Sequence, residues 1–515
     1  MTVKSFYLSS LPLLAISSSL QAAPSKKVDD KPNIIYILAD DLGYGEIGCY
    51  GQKLIETPNI DRLAADGMVL TDFYSGSPVS APARCSLLTG KHSGHGDIRG
   101  NDEMAERGMV RDFLCMERDS TLEGQRGFLP GTVTFPMLLQ QKGYETGCVG
   151  KWGLGAPGTN SLPDRYGFDF FYGYNCQRQA HTYYPLHLYR NENREYLHND
   201  TVIPHRNLDP GADSYNEASY RKFVSNVYSP DIMHKEALEF IQTNKDLPFF
   251  LYYATPLPHV PIQAPQRLVD HYLKKFGTEK PYTGESGYFP VRYPHATYAA
   301  MVTYIDEKVG EIVDALKKDG VYDNTLIIFT SDNGPTFNGG TDSPWFDSGG
   351  PFKSEYGWGK CFLREGGIRV PFIATWRNGI KAGGKSDLPS VSYDIFATVC
   401  DIAGIENNTD TDGISLMSTL TGRGKQQQHD YLYWEFMDLG GQQAVRVGDW
   451  KGIRNNVKSG NKAIELYDLK TDIKEQNNIA AAHPDIVKRI SDIMDREHIT
   501  ASYPSFRVPQ LDNVN

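Results

Sequence analysis

The stretch Asn33-Ile-Ile-Tyr-Ile-Leu-Ala39, followed directly by Asp40 and Asp41, gives the clearest indication of the fold. Its run is apolar on both faces, which is typical of a strand buried in a sheet that helices cover on both sides. Two adjacent carboxylates after such a strand are costly in free energy unless a cation neutralises them or water solvates them. The stretch therefore indicates an α/β protein, with either a metal site or a solvated turn where this strand ends.

Three later runs repeat the pattern of an apolar strand that ends in polar residues. They are Tyr144–Val149, followed by Lys151; Leu247–Ala254, followed by His259; and Asn324–Thr330, followed by Asp332 and Asn333. Sites in α/β sheets form outside the carboxyl ends of strands, so we expect these side chains to converge with Asp40 and Asp41 in one crevice. The acidic and amide donors among them offer only oxygen, which favours Ca²⁺, with Mg²⁺ as the alternative, over zinc.

A second motif, Ser80-Ala-Pro-Ala-Arg-Cys-Ser-Leu-Leu-Thr-Gly-Lys91, places a hydroxyl beside a cation. Pro82 stands where a helix would begin and Gly90 where it would end, so Ser80 lies at the mouth of a helix that favours negative charge. Arg84 lies one turn inside and can reach the same point. Taken alone, these residues fit equally a capping serine and an arginine on a solvated helix face.

The full spacing of this motif resembles the signature of type I sulfatases, which belong to the alkaline-phosphatase-like superfamily. Gly359-Lys360-Cys-Phe-Leu-Arg-Glu365 resembles a second sulfatase signature, and the resemblance covers residues 31 to 480. It implies a large mixed sheet sandwiched by helices, with a small C-terminal subdomain that combines an antiparallel sheet and a helix. The expected division is a signal peptide at 1–23, a catalytic domain at 28–408 and a C-terminal subdomain at 409–515.

The resemblance also implies a mechanism. The family converts the residue at position 80 to Cα-formylglycine, whose hydrate attacks sulfur and then expels sulfate, a last step that an ordinary serine could not perform. Because position 80 is Ser rather than Cys, the implied partner is an anaerobic, radical maturating enzyme. The implied catalytic residues are Ser80, Arg84, Lys151, His259 and Lys360, and the implied metal ligands are Asp40, Asp41, Ser80, Asp332 and Asn333.

One position departs from the family pattern, because Gly153 stands where many sulfatases carry a histidine that assists proton transfer. His181, in the segment Gly173–Pro185, is our candidate replacement. That segment resembles bacterial carbohydrate sulfatases that act on galactose or N-acetylgalactosamine 4-O-sulfate. The candidate sugar contacts are Arg99, Asn101, Arg178 and His181.

Composition limits the remaining functions. The 515 residues carry a net charge of −11, which argues against a nucleic-acid partner but allows a local cationic pocket for an anionic glycan. Lys4, the apolar run from Phe6 to Leu20 and Ala22-Ala23 predict a secretory signal, and therefore an exported, periplasmic protein with no later membrane span. The seven cysteines are odd in number and lack the spacing of a metal knuckle.

The rest of the chain predicts the surroundings of the site. A helix is expected at Thr297–Asp319 and a strand at Ile368–Trp376, while residues 186–230 are expected to form an insertion with short strands at the rim of the site. Residues 431–468 predict short strands, and a helix is expected from His483 to Met494.

Two other functions fit the same residues. One is a phosphate monoesterase or diesterase of the same superfold, in which unmodified Ser80 attacks phosphorus. The other is a non-catalytic glycan-binding protein. Sulfate release separates the sulfatase from both.

Overall fold

The structure is a computed structural model that describes residues 1–2 and 31–512, so the predicted signal peptide lies almost wholly outside the described residues. The strands are β1 (Asn33–Ala39), β2 (Met68–Leu70), β3 (Phe73–Tyr74), β4 (Glu145–Lys151), β5 (Phe170–Tyr174), β6 (His187–Arg190), β7 (Asn193–Tyr196), β8 (Phe249–Ala254), β9 (Thr325–Ser331), β10 (Phe372–Thr375), β11 (Gly384–Ser386), β12 (Ser390–Val391), β13 (Leu432–Phe436), β14 (Gln442–Val447), β15 (Trp450–Asn455) and β16 (Ile464–Asp468). The helices are α1 (Pro58–Ala65), α2 (Ser80–Thr89), α3 (Phe113–Arg118), α4 (Phe135–Gln141), α5 (Ser229–Asn244), α6 (Gln266–Phe276), α7 (Pro294–Lys318), α8 (Glu365–Ile368), α9 (Asp394–Ile402), α10 (Met417–Thr421), α11 (Pro484–Glu497) and α12 (Pro509–Asp512).

A mixed sheet of ten strands, in the order β11-β2-β10-β9-β1-β8-β4-β5-β6-β7, organises the molecule. Its centre is parallel, because β1 pairs in parallel with β8 on one side and with β9 on the other, and β4 pairs in parallel with β8. These four strands are the ones that the sequence predicts to end in polar residues. Their carboxyl ends therefore meet at one edge of the sheet, as expected.

Both faces of the sheet are covered, which explains why β1 is apolar throughout. Ile35 and Ile37 belong to the core that includes Ile305 of α7, whereas Tyr36 belongs to the opposite core with Leu87 of α2. Each fully buried aliphatic side chain of this kind stabilises the fold by about 1.5–3 kcal/mol. The predicted mixed sheet between helices is confirmed.

A separate antiparallel sheet, β13-β14-β15-β16, occupies the C-terminal part of the chain. One face packs against α11 through a core that includes Ile490 and Met494. The other face contributes Trp434 to a core shared with Tyr74. The predicted antiparallel sheet with one helix is therefore present, and the boundary at residue 409 stays a prediction.

Two local predictions differ from the structure. The expected strand Ile368–Trp376 begins only at Phe372, because Glu365–Ile368 forms the short helix α8 and Arg369 N donates to Glu365 O at 2.8 Å. Pro371, which has no N–H for a sheet ladder, then separates the two elements. The insertion at 186–230 does contain short strands, but β6 and β7 extend the large sheet.

Two further sequence properties can be read from the described residues. All seven cysteines are unpaired. Within residues 31–512, every helix is too short or too polar to cross a bilayer.

Candidate active site

Helix α2 places the Ser80 hydroxyl at the edge where the central strands end. Val79 is extended and precedes the helix, and Gly90 ends it with a φ of 70°, as the sequence predicts. The hydroxyl of Ser80, which is only 1% exposed, donates to Asp40 Oδ1 at 3.1 Å. Lys151 Nζ donates to the same hydroxyl at 3.2 Å. The ends of β1 and β4 thus meet at the first residue of α2.

The carboxylates that follow β1 and β9 form a buried cluster. Asp41 N donates to Asp332 Oδ1 at 3.1 Å, and Asn333 Nδ2 donates to Asp41 Oδ1 at 2.7 Å. Asp40, Asp41 and Asp332 are each at most 2% exposed. Burial, opposed by Lys360 and reinforced by the neighbouring carboxylates, raises the pKa of Asp41 to about 6. Burial and Asp40 likewise raise the pKa of Asp332.

This donor set fits a hard divalent cation. Asn333 Oδ1 is buried and has no hydrogen-bond partner among the described residues, although its amide nitrogen is fully used. A buried carbonyl oxygen without a partner is costly, and a cation would satisfy it. Donor atoms of Asp40 and Asp41 also lie within 4.8 Å of a His259 ring nitrogen. The predicted oxygen ligands therefore lie in one cluster, in which Asp332 and Asn333 contact Asp41.

Three cations surround the carboxylates: Arg84 and Lys151, which are buried, and Lys360, which is partly buried. Arg84 is fully buried, and its guanidinium donates to Asp332 Oδ2 at 2.9 Å and to the Lys151 carbonyl at 2.8 Å. Lys360 Nζ lies 2.7 Å from Asp41 Oδ2, and Lys151 Nζ contacts Asp40 Oδ2. Burial lowers the pKa of Lys151. Burial also works against the charge of Lys360, but Asp41, Tyr288 and Asp40 together raise the pKa of that lysine. The three cations balance the three carboxylates, so an added divalent ion would make the site positive.

His259 and His181 line the cavity of about 310 Å³ above Ser80. The short hydrogen bond from His259 Nδ1 to the Val260 carbonyl, at 2.5 Å, orients Nε2, which lies 3.7 Å from Asp41 Oδ2. The two imidazole rings are stacked with centroids 5.6 Å apart. Burial, together with nearby positive charge, lowers the pKa of both histidines well below the ordinary value.

The structure explains why position 153 has no side chain. Gly153 has a φ of 71°, and a Cβ at that position would lie 2.4 Å from Gln177 Nε2. Gln177 thus occupies the space next to this backbone, and it also lines the cavity. His181 lies in the same cavity, as the sequence predicts for the replacement of the missing histidine.

The predicted sugar contacts divide into two groups. Asn101 and Arg178 line the cavity, with Asn101 Oδ1 accepting from Ala81 N at 3.0 Å and Arg178 Nη1 lying 3.2 Å from Glu103 Oε1. Arg99 does not line this cavity. Its buried guanidinium donates to Glu435 Oε1 at 2.8 Å and to the Ile499 carbonyl at 2.7 Å. Arg99 lines a neighbouring cavity instead, and its predicted contact with the sugar stays a prediction.

Several cavity residues were not predicted. Tyr288 and Asn338 lie in loops without periodicity, and Asp438 follows β13 of the C-terminal sheet. Nε2 of His205, which belongs to the insertion, lies 2.9 Å from Nδ1 of His181. Nothing in a loop sequence alone indicates these contacts, since they join segments far apart in the chain.

Comparisons with known proteins agree with this geometry. The chain is 29% identical to the N-acetylgalactosamine-6-O-sulfatase of Bacteroides thetaiotaomicron, over 94% of this chain and 98% of that protein. It is 30% identical to the N-acetylgalactosamine-6-sulfatase of Homo sapiens, over 83% of this chain and 74% of that protein. The crystal structure of Ps i-CgsB superposes with a TM-score of 0.70 at 26% identity, covering 92% of this chain and 94% of that one.

Two family descriptions match the chain itself. The C-terminal family of N-sulphoglucosamine sulphohydrolase matches residues 354–499. The family described as Sulfatase matches residues 32–405, which include β1, α2, β8 and β9 and every predicted metal ligand. The chain therefore belongs to the sulfatase family, the enzymes of alkaline-phosphatase-like fold that hydrolyse sulfate esters.

Proposed function

We propose that Ser80 carries the reaction after its oxidation to Cα-formylglycine, and that the substrates are sulfated glycans of the N-acetylgalactosamine class. The position of the Ser80 hydroxyl supports this most strongly, since it touches both Asp40 and Lys151 beneath the cavity. When hydrated, the formylglycine supplies one hydroxyl that attacks sulfur and a second that allows sulfate to leave.

The cations take the role of stabilising charge. Lys151 contacts Asp40 and Lys360 contacts Asp41, and both lysines line the cavity, where they can bind the sulfate oxygens. Arg84 lies beneath them and holds the Lys151 carbonyl and Asp332 in place. Removing one preorganised donor of this kind costs about 2.7–4 kcal/mol in transition-state stabilisation.

The two cavity histidines take the role of moving protons. The bond from Nδ1 to the Val260 carbonyl leaves Nε2 of His259 as the nitrogen available to the ester oxygen of the leaving group. We assign to His181 the transfer of the proton of the residue at position 80. It would replace the histidine that many sulfatases carry where this chain has Gly153. His181 is suited to this because its ring stacks on His259 and lines the same cavity.

Asp40, Asp41, Asp332 and Asn333, with position 80, would hold the divalent ion, which we take to be Ca²⁺. A bound cation would give the site the net positive charge that favours an anionic sulfate, and it would polarise the group at position 80. The unpartnered Asn333 oxygen supports this assignment. Mg²⁺ is the alternative, and its preference for strict octahedral geometry and retained water distinguishes it.

The substrate class rests on the relatives. The two sulfatases at 29% and 30% identity are named for N-acetylgalactosamine 6-sulfate. A second structure of Ps i-CgsB contains k-i-k-neocarrahexaose. The segment Gly173–Pro185 instead resembles sulfatases that act on galactose or N-acetylgalactosamine 4-O-sulfate, so we propose the 4-O-sulfate as the substrate, with the 6-O-sulfate as the alternative.

We further infer that the protein is exported to the periplasm after removal of residues 1–23, and that a radical maturating enzyme oxidises Ser80. We propose 28–408 as the catalytic domain and 409–515 as the C-terminal subdomain. The basic, apolar and small-residue pattern before residue 24 supports export.

The test compares sulfate and phosphate monoesters of the same sugar, using protein co-expressed with an anaerobic maturating enzyme. We expect release of sulfate from N-acetylgalactosamine sulfate, and its loss in Ser80→Ala. Faster release of phosphate by unmodified protein would favour the phosphatase alternative. Sugar binding without sulfate release would favour a non-catalytic glycan-binding protein.

A further inference from the structure

A second cavity, of about 200 Å³, adjoins the active-site cavity. Asn101, Glu103 and Asp438 line both cavities, so the two spaces share a wall. Asn101 is fixed at this boundary, because its Oδ1 accepts from Ala81 N at the start of α2. A chain-like ligand with one end at Ser80 could therefore continue into the second cavity.

Two cations of the second cavity, Lys458 and Arg507, have no ion-pair partner within 4 Å among the described residues, although the charge of Lys458 acts on Asp438, where it opposes the rise that burial gives the pKa of that carboxyl. Both side chains are exposed. Arg507 instead donates to the carbonyls of Ala501 and Ser502. By contrast, Arg99 and Arg111, which line the same cavity, are paired with Glu435 and Glu103.

The inner wall of this cavity is apolar. Met437 and Phe506 line it and are 5% and 8% exposed. A few cations beside an aromatic and an aliphatic side chain form the combination that binds a sugar ring carrying an anionic substituent. Lys458 and Arg507 are exposed to water, and an anionic substituent would give each of them an ion-pair partner.

We propose that this cavity binds the sugar next to the one being desulfated, and that Lys458 and Arg507 bind its sulfate or carboxylate group. This inference rests on the proposed function. It makes the enzyme selective for anionic oligosaccharides over monosaccharides. Both cations come from the C-terminal part of the chain, which would thus set substrate length while α2 and the large sheet carry the chemistry.

The test measures kcat/KM for N-acetylgalactosamine sulfate and for a tetrasaccharide in which that unit alternates with uronate. In Lys458→Ala we expect the tetrasaccharide value to fall at least about fivefold, mainly through KM, with less than about twofold change for the monosaccharide. Lys462→Ala, at an exposed lysine of the same loop that does not line the cavity, is the matched control. Lys458→Glu should enlarge the effect.

Carboxyl-reduced and additionally sulfated tetrasaccharides identify the anion. If Lys458→Ala no longer weakens turnover of the carboxyl-reduced tetrasaccharide, the anion that Lys458 binds is a carboxylate. If Lys458→Ala still weakens turnover of a carboxyl-reduced tetrasaccharide that carries an additional sulfate, the anion is a sulfate. Calorimetric binding of the tetrasaccharide to Ser80→Ala gives a readout without turnover, in which Lys458→Ala should again weaken binding.

The outcomes separate the two proposals. An enzyme that cleaves neither sugar sulfate would contradict the proposed function. The second cavity would be overturned as a binding site if the enzyme desulfates both the monosaccharide and the tetrasaccharide and neither Lys458→Ala nor Lys458→Glu lowers kcat/KM for the tetrasaccharide more than for the monosaccharide.

Discussion

At the scale of single residues, the side-chain oxygen of Asn333 is the clearest sign of a cation. It is buried without a partner, whereas the amide nitrogen donates to Asp41 and to the Gly334 carbonyl. We predict that Asn333→Ala weakens Ca²⁺ binding at least about tenfold, as measured by calorimetry on chelator-treated protein. Asn338→Ala, in the loop after the same strand, is the control. Equal affinities in both variants would remove Asn333 from the metal site.

Gly153 gives a second prediction at this scale. An alanine at this position would have to adopt a left-handed backbone conformation, which costs about 1–2 kcal/mol. Its Cβ would also clash with the Gln177 side chain, and this overpacking adds about 1–3 kcal/mol. Gly153→Ala should therefore lower the free energy of unfolding by more than Gly158→Ala. Gly158 has a similar φ of 75° but open space around it.

The double variant isolates the contact. Gln177→Ala should recover the steric part of the Gly153→Ala loss and leave only the backbone part, as measured by denaturant unfolding in a double-mutant cycle. Additive losses would mean that Gln177 is not what fills this space.

At this scale a local sequence pattern shows which residues of one motif lie together, but not which distant residue pairs with a given side chain. Ser80 and Arg84 lie in one motif about one helical turn apart, so their closeness follows from the local sequence. Arg99 has a partner, Glu435, that is 336 positions away, and no local pattern reveals that its charge is already used. Likewise, the sequence shows that position 153 lacks a histidine but not that Gln177 takes the space.

At the scale of elements, the buried strands were predictable because they are apolar on both faces. β1, β4, β8 and β9 all lie where the sequence placed them, within a few residues. Short elements were less predictable, since α8 is one helical turn whose formation depends on tertiary contacts of Glu365. The loops with Tyr288 and His205 carry no periodicity, so their approach to the cavity could not be foreseen.

The contact between α5, α7 and β8 leads to a prediction about pH. His234 of α5 is buried between Glu311 of α7, at 2.9 Å, and the hydroxyl of Tyr253, at 3.3 Å. Burial, partly opposed by Glu311, lowers the pKa of His234 to about 4. Between pH 6.5 and pH 4 the unfolded chain binds a proton that the folded chain does not. The free energy of unfolding should therefore decrease as the pH is lowered from 6.5 to 4, and His234 should account for roughly 3 kcal/mol of that decrease.

Unfolding experiments at pH 7 and pH 4.5 test this contribution. His234→Gln should lose less stability than the unmodified chain on acidification, because the group that titrates is gone. His271→Gln, at an exposed histidine, is the control. An unchanged pH dependence in His234→Gln would contradict the assignment.

At the scale of the whole molecule, a buried cluster of charged residues connects the C-terminal sheet to helix α8 of the larger part of the chain. Lys451 of β15 is fully buried, and its Nζ lies 2.8 Å from Glu365 and 3.0 Å from Glu475. Burial works against ionisation of Glu365, but Lys451 and two arginines lower its pKa to about 2. We predict that Lys451→Met lowers the free energy of unfolding by about 3–5 kcal/mol, because Glu475 loses its ion-pair partner and Glu365 keeps only Arg369 among the described residues.

Limited proteolysis and denaturant unfolding measure this effect. Cleavage should appear first between residues 405 and 431 if the sheet detaches. Lys462→Met, at an exposed lysine of the same sheet region, should behave as the unmodified chain does. A loss below about 1 kcal/mol in Lys451→Met would show that the cluster does not hold the sheet.

The arrangement of the whole site could be predicted from sequence because one rule of topology governs it. Parallel neighbouring strands bring Asp40, Lys151, His259 and Asp332 to one edge, although they span almost 300 positions. The contribution of the C-terminal sheet could not be predicted, since Asp438 and Lys458 reach the cavities only through docking of a separate sheet.

The most direct measurement of the central claim is mass spectrometry of the peptide that contains Ser80. The protein should come from an anaerobic host that makes the radical maturating enzyme, and its sulfate release should be measured on the same sample. We predict that Ser80 has lost two hydrogens while Ser86, in the same motif, is intact. A fully active sample in which Ser80 remains an unmodified serine would contradict the account.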